Sequence, residues 1–213
     1  MYPEYTRAER IADGIIHVIG IGASAIAVTV LIILAVPTLD VFSTSALAVY
    51  GTTVILLFSV SAAYHMISHH EWRPILRRFD QAAIFFKIAG TYTPLVMLIG
   101  SMFAYGVLAL VWTIAVLGAI AKLSFWHSIE RFSVILFLAL GWASLTLAWP
   151  IFATLPVVVS MLILAGGLLY SVGVIFHLWE GLRYQNAIWH GFVLAASACH
   201  FTAVSYGTFA LVA

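Results

Sequence analysis

The sequence has little charge and a single cysteine. Asp, Glu, Lys and Arg make up 8% of its 213 residues, and the formal net charge is +1. A soluble domain carries roughly 25% charged residues, because its surface must be polar enough to stay in water. The chain is therefore not a soluble globule, and its net charge gives no sign of a nucleic-acid partner. Cys199 cannot form an intrachain disulfide, and we interpret it as a packing residue.

Hydrophobic residues make up 64% of the sequence, and most of them lie in long apolar runs. Each run has about the 17–25 residues that an α-helix needs to cross a bilayer core of ~30 Å. A transmembrane β-barrel would instead show alternating segments of about 10 residues, which the sequence lacks. The runs lie at 14–36, 45–67, 81–99, 103–121, 132–149, 157–176 and 188–213. They predict an all-α fold, a bundle of seven transmembrane helices that forms one integral membrane domain over residues 1–213.

The basic residues are distributed unevenly between the connections. The connections 37–44, 100–102 and 150–156 contain no Lys or Arg. The alternate connections contain Arg7, Arg10, Arg73, Arg77, Arg78, Lys122, Arg131 and Arg183. Because short connections rich in Lys and Arg stay in the cytoplasm, we predict a cytoplasmic amino terminus and a carboxyl terminus on the opposite side. The expected location is the inner (plasma) membrane of the cell.

Several polar side chains lie at the edge of the predicted spans. Polar groups within a membrane are costly and often mark functional sites. His65 near the end of the second helix, Asp80 at the start of the third and His190 near the start of the seventh lie within roughly 5 Å of one level. Ser61 lies one helical turn from His65, on the same face. The sequence thus predicts one polar layer near the cytoplasmic side.

Histidines and a carboxylate at one level are the ligand types of a zinc site with three protein ligands and an open position. His177, at the end of the sixth helix, and His17, in the first, fall in the same layer. Asn186 lies one turn before His190. From spacing alone, hydrogen bonds between helices are the simpler interpretation, and a zinc site is the alternative.

Two further polar residues lie deeper in the predicted bundle. Lys87 is seven residues after Asp80, on nearly the same helical face and ~10 Å deeper. We expect it to face the interior, where it needs a polar partner. His200 lies ~15 Å from His190 along the helix axis, so the two cannot share one ion on a regular helix. We interpret His200 as a packing or outer-cavity residue.

Several segments in combination resemble the hemolysin III family, and they cover nearly the whole chain. They are SAAYH at 61–65, LRRFDQAAI at 76–84, IAGTYTP at 88–94, GGLLY at 166–170, NAIWH at 186–190 and SACHF at 197–201. Hemolysin III proteins belong with the progestin and adipoQ receptors, which include the adiponectin receptors. They are related more distantly to the alkaline ceramidases.

The resemblance implies a seven-helix bundle with a zinc site on the cytoplasmic side. It also implies zinc-dependent hydrolysis of a lipid amide or ester in membrane lipid homeostasis, with membrane lipids as partners. His65 and His190 match zinc ligands of the family. Ser61 and Asp80 match its polar partners, which suggests that Asp80 accepts or orients a proton and that Ser61 hydrogen-bonds the developing oxyanion.

The sequence departs from the family pattern at one position. The family has a His-x-x-x-His pair on the seventh helix, and Asn186 occupies the first position of that pair here. An amide oxygen is a poor substitute for imidazole on zinc. We therefore expect the third ligand from His177, because a short connection joins its helix to the seventh. His17 and His69 are the alternative ligands. The remaining possibility is a weakened site that holds no metal.

Three other functions stay open on the sequence alone. The chain is compatible with a non-enzymatic, receptor-like or homeostasis protein whose polar layer is structural. A proton or ion pathway through Asp80, Lys87 and the histidines is a second alternative. A pore or lysis-associated protein, as the family name implies, is a third, although nothing in the sequence supports a secreted toxin.

Overall fold

The fold of the chain is known from a computed structural model, which describes residues 5–67, 69, 71–124, 133–179 and 181–211. Seven helices in these ranges are long and apolar enough to span a membrane, and no β-strand occurs among the described residues. They are α1 (Arg7–Ala35), α2 (Val41–Met66), α3 (Arg73–Ile99), α4 (Met102–Ser124), α5 (Ser133–Thr154), α6 (Val157–Leu178) and α7 (Gln185–Ala210). The predicted all-α bundle of seven spans is confirmed, while the orientation of its termini stays a prediction.

The first turns of α1 and α3 extend beyond the apolar runs. α1 begins at Arg7 because Thr6 caps it: the Glu9 amide donates to the Thr6 hydroxyl (3.3 Å), and the Thr6 amide donates to the Glu9 carboxylate (2.9 Å). α3 begins at Arg73, with Pro74 in its first turn, where the missing N–H of proline costs no hydrogen bond. A search for uncharged residues misses such turns, because they carry charged side chains.

Asp40 fixes the start of α2. Its carboxylate accepts hydrogen bonds from the backbone amides of Phe42 (2.8 Å) and Ser43 (3.0 Å) and from the Ser43 hydroxyl (2.6 Å). These hydrogen bonds hold the pKa of Asp40 below its ordinary value, and the bond from the Ser43 hydroxyl has the largest effect. The ionised cap satisfies amides that have no partner inside the helix, so α2 begins at Val41, before the predicted 45.

α5 changes its helical form midway. It is α-helical to Trp142, forms a 3-10 turn over Ala143–Leu147 and is α-helical again to Thr154. Pro150 explains the change, because it has no N–H to donate one turn back and its ring crowds the preceding turn. The predicted end of this helix at 149 is therefore too early, and Pro150 lies inside the span.

Close packing between helices sets the level of the functional side chains. α1 packs against α2 and α7, α2 against α3, α3 also against α7, and α6 against α7. Lipid chains are as apolar as leucine, so helices in a membrane associate through small residues that let their backbones approach. Gly90 of α3 faces Thr53 of α2 so closely that a Cβ at this position would collide with the threonine side chain. This contact fixes α3 against α2.

We expect Gly90→Leu to lower the stability of the folded protein by about 1–3 kcal/mol, the usual cost of overpacking a filled interior. Gly106→Leu in α4 is the matched control, since a Cβ at Gly106 meets nothing within 4 Å. Thermal unfolding of the two variants in detergent checks the expectation. Equal unfolding midpoints for both variants would show that the close contact between Gly90 and Thr53 contributes nothing to the stability of the folded protein.

Candidate metal centre

Polar side chains from four helices meet at the end of the bundle where α2 ends and where α1, α3 and α7 begin. Three of these helices contribute two side chains each, spaced four residues apart, which places both on one helical face. We call this group the polar layer. It consists of Asp13 and His17 on α1, Ser61 and His65 on α2, Asp80 on α3, and Asn186 and His190 on α7.

The centre of the polar layer is a cluster of one carboxylate and three imidazoles. Asp13, His17, His65 and His190 each offer one ligand atom, and these atoms all lie within 4.8 Å of one another. The Asp13 carboxylate is 2.7 Å from His190 Nδ1, 3.5 Å from His65 Nδ1 and 3.6 Å from His17 Nε2. Neighbouring ligands of a tetrahedral zinc ion are about 3.3 Å apart when the bonds are near 2.0–2.1 Å. The cluster therefore has the dimensions of a site that could hold a metal ion.

Burial and one unpartnered nitrogen also fit a metal ion. Asp13 and His17 are 4% and 2% exposed, and His190 is also buried, while His65 is half-buried. The buried Nε2 of His17 has no hydrogen-bond partner among the described residues. Leaving a buried polar atom without a partner is costly, and a cation at the cluster would remove that cost. Imidazole nitrogens and a carboxylate oxygen are, in addition, the donor types that zinc accepts.

Ser61 and Asp80 lie beside the cluster. His190 places Nδ1 next to Asp13 and Nε2 3.5 Å from the Ser61 hydroxyl, so the two ring nitrogens serve different neighbours. The Asp80 carboxylate adjoins the Ser61 hydroxyl and lies near His190 and His17. A hydroxyl and a carboxylate thus adjoin the candidate metal ligands without belonging to the four.

The structure brings together some of the predicted ligands and leaves out others. His65 and His190 lie with their ring centroids 4.5 Å apart, and their role as ligands stays a prediction. His177 is exposed at the end of α6, where its ring packs 4.9 Å from that of Trp189, and it is outside the cluster. His69 is also exposed and outside the cluster. The nitrogen that completes the set of three imidazoles belongs to His17.

Asp13 is the member of the cluster that the sequence analysis did not assign to the site. The apolar run begins at 14, so this carboxylate fell outside the predicted span. A usable signal was present, because Asp13 precedes His17 by four residues, as Ser61 precedes His65. Three such pairs at one end of a bundle indicate one shared site better than any pair alone.

Asn186 is a neighbour of the cluster. Its Nδ2 lies 3.5 Å from His65 Nδ1, and its side chain adjoins the phenol of Tyr5, which precedes α1. Burial raises the pKa of Tyr5 above its ordinary value. Tyr5 and Asn186 thereby extend the group of polar side chains from His65 towards the start of α1.

A hydrogen bond fastens the start of α1 to the connection before α7. The Tyr184 amide donates to the Glu9 carboxylate at 3.0 Å, and Tyr184 has a left-handed φ of 61°. Glu9 also belongs to the cap of α1, so one carboxylate joins the start of α1 to the start of α7. The position of α1 matters for the site, because α1 supplies both Asp13 and His17.

Seven membrane-spanning helices around a buried cluster of His and Asp define a multi-pass membrane protein with a candidate metal site. The chain matches the family model described as Haemolysin-III related over residues 5–201, and it belongs to this family. The matched region contains the whole polar layer, and the family predicted from the sequence motifs is confirmed.

The relatives that the chain matches agree with this assignment. The chain is 35% identical over 204 residues to the Hemolysin-3 homolog of Bacillus subtilis (strain 168), and the match covers 95% of each chain. It is 37% identical over 199 residues to Hemolysin-3 of Bacillus cereus, covering 93% of this chain and 91% of that protein. The Monocyte to macrophage differentiation factor of Homo sapiens is 28% identical over 171 residues, covering 73% of this chain and 67% of that protein.

Proposed function

We propose that this protein is a zinc-dependent hydrolase of lipid amides or esters that acts in membrane lipid homeostasis. The observation that carries the proposal is the buried cluster of Asp13, His17, His65 and His190. A metal site next to a hydroxyl and a carboxylate contains the parts that hydrolysis needs: an electrophile, a base and a hydrogen-bond donor.

In the proposal, His17, His65 and His190 hold the ion. Asp13 orients His190 through its contact of 2.7 Å and offsets part of the metal charge. Zinc in a site with three protein ligands supplies Lewis-acid chemistry, since it activates water and polarises a carbonyl. Burial of the cluster strengthens these electrostatic effects, because they are screened less than in water.

In the proposed reaction Asp80 transfers the proton, and Ser61 stabilises the negative charge that develops. Asp80 takes the proton of the attacking water on a carboxylate oxygen as the water oxygen bonds to the carbonyl carbon. The Ser61 hydroxyl donates a hydrogen bond to the carbonyl oxygen as negative charge develops on it. The bond from the carbonyl carbon to the leaving nitrogen or oxygen then breaks, and Asp80 returns its proton to the leaving atom.

A cavity beside the polar layer supports a lipid as the substrate. The cavity has a volume of about 360 Å³ and is lined by Tyr5, Arg7, Arg10, Ile11 and Met66. The depression is open to the outside, and Met66 follows the candidate ligand His65 in sequence, so both lie at the same end of the bundle. Two arginines suit a phosphate-bearing headgroup, and the apolar side chains suit the start of its acyl chains.

The test uses the purified full-length protein in detergent. We expect elemental analysis to give about one zinc ion per chain, the number that one site of three protein ligands holds. We also expect release of fatty acid from mixed vesicles of ceramide and phospholipid, followed by mass spectrometry. Removal of the zinc with dipicolinate should stop the release, and zinc chloride should restore it. Protein without zinc, or a release that chelation does not change, would contradict the proposal.

One observation favours a second candidate function, a non-enzymatic protein with a structural polar layer. The contact between Asp13 and His190 joins α1 to α7 at 2.7 Å by itself. In that case His65→Ala would lower the midpoint of thermal unfolding, and no lipid product would depend on the protein.

A further inference from the structure

The cavity at the start of α1 has a lining of its own chemical character. We call it the arginine depression, after the two side chains that give it its charge. It has a volume of about 360 Å³, is open to the outside and is lined by Tyr5, Arg7, Arg10, Ile11 and Met66. Cavities that bind small ligands usually measure about 300–1,000 Å³. The arginine depression is therefore large enough to hold part of a small molecule, such as the headgroup of a lipid.

The arginine depression lies at one end of an apolar stripe on the outer face of α1. Arg7 and Arg10 are exposed residues near the start of this helix. Ile11, Ile15 and Val18 follow at spacings of four and three residues, and they are 53%, 54% and 72% exposed. An exposed apolar stripe on a membrane-spanning helix faces the acyl chains of the bilayer. The two guanidinium groups therefore lie where the chains of a neighbouring lipid end and its headgroup begins.

The lining of the arginine depression is positively charged. It contains two guanidinium groups, which are always ionised in proteins, and no carboxylate among the described residues. Glu9, the carboxylate that lies between them in sequence, is engaged elsewhere. It accepts hydrogen bonds from the Thr6 amide (2.9 Å), the Thr6 hydroxyl (2.7 Å) and the Tyr184 amide (3.0 Å). The ligand that complements this lining is an anion.

Other basic side chains in the described part of the chain make their contacts within the bundle. Lys87 faces the interior, as expected, and its Nζ lies 3.4 Å from His200 Nδ1. Arg183 is the closer comparison, because it is exposed at the same end of the bundle as the arginine depression. Its guanidinium lies over the ring of Tyr184, 5.0 Å from the ring centre, and it does not line the depression. The cavity thus distinguishes the two arginines of α1 from these basic residues.

Tyr5 adds a hydrogen-bond donor to the arginine depression and connects it to the polar layer. Its phenol can donate to an oxygen of a phosphate or of a glycerol. Its side chain also adjoins Asn186, whose Nδ2 is 3.5 Å from His65 Nδ1. Arginine suits phosphate well, because the planar guanidinium can donate two parallel hydrogen bonds to it. Two guanidinium groups and a phenol are therefore a suitable set of donors for a phosphate group.

We propose that the arginine depression binds the phosphate of an anionic phospholipid. Arg7 and Arg10 donate to the phosphate oxygens, and Ile11 and Met66 contact the first carbons of the acyl chains. A zwitterionic headgroup fits less well, since its ammonium group would lie beside two guanidinium groups without a carboxylate to pair with. The inference goes beyond the proposed function, because the site binds the lipid whether that lipid is cleaved or stays intact.

The test measures the unfolding midpoint of the purified full-length protein in detergent, because a ligand of the folded state raises it. The probes are ether-linked phosphatidylglycerol and phosphatidylcholine with identical alkyl chains, which the proposed hydrolysis cannot consume, and inorganic phosphate. We expect a saturable rise with phosphatidylglycerol, at a dissociation constant about 10-fold or more below that for phosphatidylcholine. Equal constants for the two lipids would overturn the proposal. An equal rise with inorganic phosphate would overturn the assignment to a lipid.

Variants connect the lipid preference to the two arginines. The double change of Arg7→Gln and Arg10→Gln should raise the dissociation constant for phosphatidylglycerol by about 10-fold or more, since each basic residue near an anionic lipid contributes about 5-fold. Arg183→Gln is the matched control, because it removes an exposed positive charge from the same end of the bundle but outside the depression. It should keep the preference for phosphatidylglycerol.

A preference that survives the double change, or one that Arg183→Gln weakens equally, would overturn the assignment to the arginine depression. If the double variant does not fold, the exposed single change Arg7→Gln decides the assignment. It should raise the dissociation constant for phosphatidylglycerol by about 5-fold and leave that for phosphatidylcholine nearly unchanged. Equal increases for both lipids would contradict a role of this charge in selecting an anionic headgroup.

Discussion

His17→Ala is expected to release the zinc ion, and adding Asn186→His to the same chain is expected to recover it. The first change removes the imidazole that α1 supplies to the cluster, and His65 and His190 then lack a third nitrogen. Asn186 lies one turn before His190 and 3.5 Å from His65, so a histidine at this position can supply that nitrogen from α7. We expect the loss of zinc affinity in His17→Ala to exceed about 100-fold, which is the upper end for residues that only support a ligand.

Competition with a chromogenic chelator measures the affinities of the wild type, the single variant and the double variant. His69→Ala is the control, because His69 is exposed and outside the cluster. The zinc affinity of this variant should equal that of the wild type. Zinc that stays bound in His17→Ala would remove His17 from the ligand set. Failure of the double variant to bind zinc while it remains folded would show that position 186 cannot reach the ion.

Asp80→Asn is expected to abolish lipid hydrolysis while zinc stays bound. The amide has the shape of the carboxylate and keeps a hydrogen-bonding partner for Ser61, but it cannot accept a proton. Loss of a positioned base typically costs about 10²–10⁴-fold in rate. The effect should fall on kcat, since Asp80 is proposed to act on the attacking water during the reaction and to contribute little to the binding of the lipid.

The measurement combines kcat and KM in mixed vesicles with the zinc content and the unfolding midpoint of each variant. Ser61→Ala is the informative companion, because it removes the hydroxyl beside Asp80 and leaves the carboxylate in place. It should slow the reaction less than Asp80→Asn does. An Asp80→Asn enzyme of unchanged kcat would rule out the proposed base, and an Asp80→Asn protein without zinc would make Asp80 part of the metal site.

The number of spans could be predicted from the sequence because the bilayer imposes a simple rule on composition. Every crossing needs an apolar run of sufficient length. The same rule misplaces helix ends, since it stops at the first charged residue. α1 and α3 begin at Arg7 and Arg73, before the apolar runs, and Thr6 caps the start of α1. Asp13 was missed for this reason.

The third imidazole could not be predicted from chain order. The short connection between α6 and α7 favours His177 as the third ligand when only the sequence is considered. In the structure its backbone carbonyl accepts a hydrogen bond from Gln185 at 2.6 Å, while its ring packs on Trp189. His17 instead reaches the cluster because α1 packs against both α2 and α7. Which helices are neighbours is a tertiary property, and it decided the composition of the cluster.

The contact between Asp13 and His190 joins residues that are 177 positions apart in sequence. During biosynthesis α1 enters the membrane first and α7 follows after the other five helices. The four candidate ligands can therefore come together only once the seventh helix has been inserted and has docked against α1. Metal loading would then be a late step of maturation, and a nascent chain that stalls before α7 would carry no assembled site.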